Sequence, residues 1–467
     1  MLATLILFGC APEPAPVFET VDVRVDGAPK DALPSAGARL CVSGGEVSVA
    51  WSDTRAGSSG VWVNRSEDDG ATWLPEVSRA DEGYGSAASP TVACQPGATL
   101  VAWEDTRDGD LDTPNIYARS SMSGGQSWLA ASSRLGDDEW GWFESHGAQA
   151  ATAGRNVYVV WQDARYGAYD ILFSASYDFG ATWNPAVRLD WNEAGAAWSG
   201  NPTIVADLEG RVHVAWEDRR NGETDIYVTS SHDFGVTFTD DFRVDTGDER
   251  GAFASTTPRL AMEGENVSVV WADARDGEMM DILLNTSIDG GATWLEAAVR
   301  VDSDAAGASN SVEPQLVMIG GLTHVAWRET RYTAADVYYR RGVGAVFSTR
   351  EVQLDTYVGD ASHSFEPRLL SNGLDVVVAW ADERHSLDGG NTDVFYTWSG
   401  DGGATWPEEH YRVNSLAGGT AWSRDLDVAL GDGMLYATWT DDRNGDDDLW
   451  FTHLALGESA ETPEGTP

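Results

Sequence analysis

Apolar and polar residues alternate with a period of two along most of the chain, in short runs separated by Gly, Asn, Asp and Ser. That periodicity predicts strands with one buried face rather than helices. The runs recur in sets of four. A set opens near a proline, as in Pro202-Thr203-Ile204-Val205 or Pro258-Arg259-Leu260-Ala261. It continues with a run into a tryptophan (Val212 to Trp216), a third such as Asp225-Ile226-Tyr227, and a fourth such as Val187-Arg188-Leu189-Asp190. The tryptophan heads a motif, Trp-x-Asp-x-Arg, that returns throughout the chain. Its copies are Trp51-Asp53-Arg55, Trp103-Asp105-Arg107, Trp161-Asp163-Arg165, Trp216-Asp218-Arg220, Trp271-Asp273-Arg275, Trp327-Glu329-Arg331, Trp380-Asp382-Arg384 and Trp439-Asp441-Arg443. Successive tryptophans are 52, 58, 55, 55, 56, 53 and 59 residues apart. Four antiparallel strands repeated at that period predict the blades of a β-propeller, and eight copies predict eight blades.

The ends of the chain make the count close. The last unit has three strand patterns, near Leu426 to Leu430, up to Trp439, and at Leu449-Trp450-Phe451, but no fourth. The segment Val21 to Asp26 is a fourth-strand pattern with no unit ahead of it. Pairing the two removes two exposed edges at once. The expected fold is therefore all-β: an eight-bladed β-propeller of four-stranded antiparallel blades spanning 21–455, closed by the N-terminal strand in the last blade. Length alone would predict two or three domains; the repeat replaces them with one.

Residues 1–10 end in Leu7-Phe8-Gly9-Cys10 and resemble a bacterial lipoprotein signal, which implies a lipid on Cys10. A plain secretory signal is the alternative. Residues 11–20 read as a Pro-rich tether and 456–467 as a disordered tail. Both signal readings place the protein outside the cytoplasm, secreted or in the bacterial cell envelope, with the membrane touched only through the anchor. Export makes an oxidising compartment the expectation. Cys41 and Cys94 fall in first strands of neighbouring units, so a disulfide or two buried thiols both fit.

Composition narrows the partners. Of 467 residues, 75 are acidic and 30 basic, a net charge of −45. That charge argues against nucleic acid or an anionic membrane surface as the partner. An apolar content of 42% with 21 tryptophans supplies a core, and 50 glycines supply frequent turns. A monomer is expected.

Between third and fourth strands most units carry Ser-x-Asp-x-Gly-x-Thr-Trp. The copies are Ser66-Asp68-Gly70-Thr72-Trp73, Ser176-Asp178-Gly180-Thr182-Trp183, Ser287-Asp289-Gly291-Thr293-Trp294 and Ser399-Asp401-Gly403-Thr405-Trp406. Ser121-Ser123-Gly125-Ser127-Trp128 and Ser231-Asp233-Gly235-Thr237-Phe238 are looser, and unit six has none. The oxygens suit backbone N–H groups of a hairpin, glycine suits positive φ, and the aromatic ring plugs the gap between strands. These residues resemble the Asp box, or bacterial neuraminidase repeat, of sialidase-like propellers. The resemblance implies that the boxes are structural and lie away from any ligand. It assigns no catalytic residue: the family's early Arg-Ile-Pro motif is absent, and its enzymes are six-bladed.

The Trp-x-Asp-x-Arg side chains share one strand face. They either ring a charged site or tie the blades together, and a feature present in all eight units fits the structural role. The loops that enter each first strand differ from unit to unit. They carry Trp142, Glu144 and His146, then Trp198, Phe253, Glu313, then His363, Phe365 and Glu366, and last Trp422. Aromatic faces beside carboxylates suit a sugar or a peptide. Trp142, His146, Trp198, Phe253, His363, Phe365 and Trp422 are the expected ligand-binding residues. A hydrolase would need two carboxyls about 5–9 Å apart, with Glu144, Glu313 and Glu366 as candidates. No nucleophile triad, phosphate loop or zinc spacing stands out. No metal or cofactor is expected, with Ca²⁺ in the acidic loops 105–112 and 441–448 the open case. Arg107 and Arg443 stand there where a ligand would be needed. A glycan- or peptide-binding module is the expected function, with an exo-sialidase-type glycoside hydrolase and a non-catalytic protein scaffold as alternatives.

Overall fold

The computed structural model describes residues 22–27, 34–108, 113–136, 143–277, 279–331, 334–356, 362–386 and 390–457. Cys10, the 11–20 tether, Trp142 and the tail beyond Gly457 lie outside them. The described chain is all-β, in eight antiparallel sheets that follow one another in sequence. Blade 4 is representative, with strands Ser199–Ala206, Val212–Asp218, Asp225–Ser231 and Phe242–Arg243. In blade 8, Arg424–Gly431, Met434–Asp441 and Asp448–Ala455 are completed by Val23–Arg24, which pairs with Phe451 and Trp450. The ring is closed by the N-terminal strand. Among the described residues no helix is long and apolar enough to cross a membrane.

The core lies between blades. Ala215, Ile226 and Val228 of blade 4 pack on Leu260, Val267, Val269 and Trp271 of blade 5, and comparable clusters recur around the ring. All eight motif tryptophans are fully buried. Each indole N–H donates to the carboxylate two residues on, at 2.8–3.2 Å. Each of those carboxylates is also paired with the motif arginine. The guanidinium in turn stacks on a third-strand aromatic in several blades, as Arg220 does on Tyr227 at 4.0 Å. The motif thus forms a closed unit of indole, carboxylate and guanidinium inside each blade.

The Asp boxes staple the opposite face. In blade 4 the Ser231 hydroxyl donates to Asp233, the Gly235 N–H donates to Ser231 Oγ, and Thr237 donates to Asp233 through both N–H and hydroxyl. A Cβ on Gly235 would meet the Phe173 ring of blade 3 at 2.7 Å, and its φ is +77°, so only glycine fits. Cys41 and Cys94 form a disulfide, Cα–Cα 6.0 Å, joining the first strands of blades 1 and 2.

Every first strand is interrupted by a β-bulge. One residue of each bulge is left-handed: Gly37, Ser89, Gly147, Asn201, Thr257, Glu313, Glu366 and Asp425, with φ between +50° and +66°. In five blades a buried proline follows: Pro90, Pro202, Pro258, Pro314 and Pro367. Proline has no N–H for the ladder and is at home in a bulge. A bulge also re-aims the side chain that follows it.

Candidate functional site

The first strands are the innermost, each lying against the first strand of the next blade. The residue two beyond the left-handed position is therefore presented to the axis: Arg39, Thr91, Gln149, Thr203, Arg259, Gln315, Arg368 and Asp427 in blades 1 to 8. All eight are at least partly solvent-exposed, although most of the residues beside them are buried. Burial, then the Arg368 and Arg39 guanidiniums, pull the Arg259 pKa down. Blade 1 stands opposite blade 5 in an eightfold ring, so these charges converge near the axis.

The carboxylates around this ring are taken up elsewhere. Glu104 accepts the Gly147 N–H at 3.0 Å, Glu217 the Thr257 N–H at 2.8 Å, and Glu313 the Glu366 N–H at 3.1 Å. Glu366 accepts the Leu426 N–H at 3.3 Å, and Asp427 the Leu40 N–H at 2.8 Å. Gln162 does the same for Asn201 at 3.1 Å. Each latch joins one blade to the next and satisfies a backbone donor that the innermost strand leaves free. Burial pushes the Glu217 and Asp427 pKa values up. Arg39 and Arg259 make no ion pair among the described residues, and Arg368 has Glu366 at 3.8 Å. The Asp427 carboxylate acts on Arg39 and Arg368, and that of Glu217 on Arg259, so the axis carries three guanidiniums partly offset by acids.

The structure places the sequence candidates around this axis in separate groups. Glu313 is held by Arg328 at 2.8 Å besides its backbone latch, and Glu366 is a latch as well. Glu144 is exposed and accepts the Tyr169 hydroxyl at 2.6 Å. His146 lies between Glu104, 3.1 Å from Nδ1, and Glu144, 3.8 Å from Nε2. The Glu104 hydrogen bond is the main cause of a raised His146 pKa, and burial with the Glu144 carboxylate raises that of Tyr169. Trp198 carries the Arg219 guanidinium at 5.2 Å and Trp422 that of Arg424 at 4.2 Å. His363 accepts the Ala335 N–H at 3.1 Å and lies beside Phe365. Trp422 is 47% and Phe253 41% exposed. Sequence reasoning missed the axial side chains, Glu104, Glu217 and Tyr169. The signal for the two glutamates was present: they are the variable x of Trp-x-Asp.

Among the described residues one carboxylate trio, Asp281, Asp302 and Asp304, has metal-like spacing. The Arg300 guanidinium pairs with all three and supplies the cation. In loop 441–448, Asp441 and Asp447 pair with Arg443 and Arg424, and Asp442 accepts the Trp422 N–H. These carboxylates are engaged by protein donors.

No family model and no curated protein matches the chain. Among solved structures it is similar to the polysaccharide lyase Uly1, at 11% identity over 83% of this chain and 94% of that one, TM-score 0.50. A polysaccharide lyase of the ulvan lyase type matches at 11% identity over 94% and 96%, TM-score 0.49. A Hadza microbial sialidase matches at 16% identity over 77% and 76%, TM-score 0.41. Identities this low speak for architecture alone. With its ring closed by the N-terminal strand, the chain is an eight-bladed β-propeller with Asp boxes stapling one face.

Proposed function

We propose that this protein is an exported, lipid-anchored binding module for an anionic glycan, which it takes on the face opposite the Asp boxes. The observation that carries this reading is the axial set Arg39, Arg259 and Arg368, which keep solvent-exposed surface while the neighbouring Asp427, Glu217 and Glu366 carboxylates also bond backbone N–H groups. An acidic group of the ligand enters the axis and is held by charge-assisted hydrogen bonds. Trp198, Phe253, Phe365 and Trp422 at the rim offer faces for the CH groups of neighbouring sugars. Export is supported by the Cys41–Cys94 disulfide, which suits an oxidising compartment.

A glycan array carrying neutral and acidic oligosaccharides tests this. Acidic glycans should bind, more weakly as salt rises, and Arg259→Gln should weaken them about tenfold. Equal binding of neutral glycans, or capture of acidic peptides alone, discards the glycan reading. The Tyr169–Glu144 hydrogen bond favours a second reading, a glycoside hydrolase with this pair beside His146. Turnover of fluorogenic acidic glycosides that is lost in Glu144→Gln would establish it; absence of turnover in the intact protein would end it.

A further inference from the structure

Blade 6 departs from its neighbours on the Asp-box face. Its third strand, Asp336–Val343, turns at Gly344–Ala345 into Val346–Phe347 and reaches a last strand at Val352–Gln353. A cavity of about 340 Å³ lies where this short hairpin meets the Asp box of blade 7. It is lined by Tyr339, Arg341, Ser348, Arg350 and Val352 of blade 6, with Gly403 to Trp406 of blade 7.

The junction of blades 1 and 2 is the other place in the ring where an arginine holds this third-strand position. Strand register matches Val63 with Tyr339 and Ser78 with Val352, so Arg65 corresponds to Arg341, Glu67 to Val343 and Glu76 to Arg350. At blades 1 and 2, Arg65 pairs with Glu67, and the Trp128 indole N–H donates to Ser78 at 3.1 Å. At blades 6 and 7 the partner carboxylate is a valine and the second carboxylate an arginine. The indoles of Trp73 and Trp294 donate to the carbonyl of their own box glycine, at 3.1 Å in both. Arg341 keeps a bond to the Gly402 carbonyl, 2.7 Å, but neither it nor Arg350 makes an ion pair among the described residues. Trp406 Nε1 is buried without an acceptor. The Asp401 carboxylate of the same box is taken up by Ser399 and Thr405. Tyr339 is hydrogen-bonded to His324 at 2.6 Å. Donors therefore exceed acceptors around one cavity.

We propose that this cavity is a second ligand site, separate from the axial one. Its ligand is a small organic acid, with a carboxylate between Arg341 and Arg350 and a six-membered ring against Trp406. An unmatched guanidinium pair selects an oxyanion. The volume sits at the lower end of small-molecule pockets, near ~300 Å³, and leaves room for a body beyond the acid group. Val352, Ala404 and the two aromatic rings supply its apolar wall.

The test is ¹⁹F NMR of full-length protein carrying fluorotryptophan, with the Trp406 resonance identified by Trp406→Phe. Glucuronate and benzoate are the sugar and aromatic probes, with glucose and inorganic sulfate beside them. Saturable shifts of that resonance by glucuronate or benzoate are expected, and which of the two binds names the source of the acid. Arg350→Gln should weaken binding about tenfold, while Arg259→Gln should leave it intact, so this site and the axial reading fail separately. Arg350 is exposed and has no structural partner among the described residues, so its loss leaves the fold in place. The proposal falls if the Trp406 resonance does not move, if glucose moves it equally, or if Arg350→Gln changes nothing. It falls also if sulfate binds as tightly as either acid, because the body then contributes nothing.

Discussion

Two eightfold sets of residues run around this propeller, and they repeat different things. The Trp-x-Asp-x-Arg set repeats its side chains: an indole, a carboxylate and a guanidinium close on one another in every blade, with Glu329 standing in for aspartate in blade 6. The bulge set repeats only its backbone. Eight left-handed residues hold the same conformation, while the side chains they aim at the axis run Arg, Thr, Gln, Thr, Arg, Gln, Arg and Asp. Identical chemistry at eight places serves the scaffold, since each blade must solve the same packing problem. A fixed backbone with changing side chains gives a rim whose character differs from one sector to the next, as an asymmetric ligand requires.

The strongest way to break this division is to cut the first set. Asp273 accepts bonds from Trp271, Arg275 and Ser255 in the interior. Asp273→Ala takes the carboxylate from a partly buried guanidinium, which keeps the Thr246 and Asp245 carbonyls, and leaves the indole N–H unpaired; urea unfolding should show a loss of about 3–5 kcal/mol. A loss below about 1 kcal/mol would deny the motif its scaffold role. Next comes the mirror experiment on the second set. Arg259→Gln should shift unfolding by no more than about 0.5 kcal/mol while weakening anionic glycan binding by about 1.4 kcal/mol.

Backbone strain gives a smaller effect. Thr257 is β-branched and left-handed, φ +55°, so Thr257→Gly should stabilise the protein by about 1 kcal/mol, the relief exceeding the entropy that glycine adds to the unfolded chain. Destabilisation on urea unfolding would mean that the threonine side chain contributes more than its conformation costs.

A further effect is in pH, and here the blade interiors and the rim differ in sign. Burial first, holds His213, His324 and His410 down to about 4. Their neutral forms contribute stability that is present above about 6.5 and lost as pH falls toward 4. His146 at the rim is raised, chiefly by Glu104. Its contribution is complete below about 6.5 and lost as pH rises through the raised value. The unfolding midpoint followed against pH should flatten on the acid side in His324→Gln and on the neutral side in His146→Gln.

Strands, boxes and ring closure were legible because period-two patterning and a repeat of about 55 residues are local signals. The bulges were not. Pro202 and Pro258 marked where first strands begin, but a left-handed residue before proline leaves no compositional trace when it is Asn, Thr or Glu. Glu313 and Glu366, two of the three carboxyl candidates with Glu144, also serve as inter-blade latches, because the N–H groups of Glu366 and Leu426 lie within their reach. The missing Asp box of unit six was visible as a gap. That Arg341 and Trp406 face one cavity beside that gap depends on the register between two blades.

Sequence alone determined the number of blades, their order and the pairing of the first strand with the last three, since each follows from repeated patterns and from edges that must be covered. The tertiary structure decided which charges are left over. Whether a guanidinium meets a carboxylate, a backbone N–H or water depends on the next blade, some fifty residues away, and on a bulge that turns the chain by one residue. Those are properties of the assembled ring, and no stretch of sequence carries them.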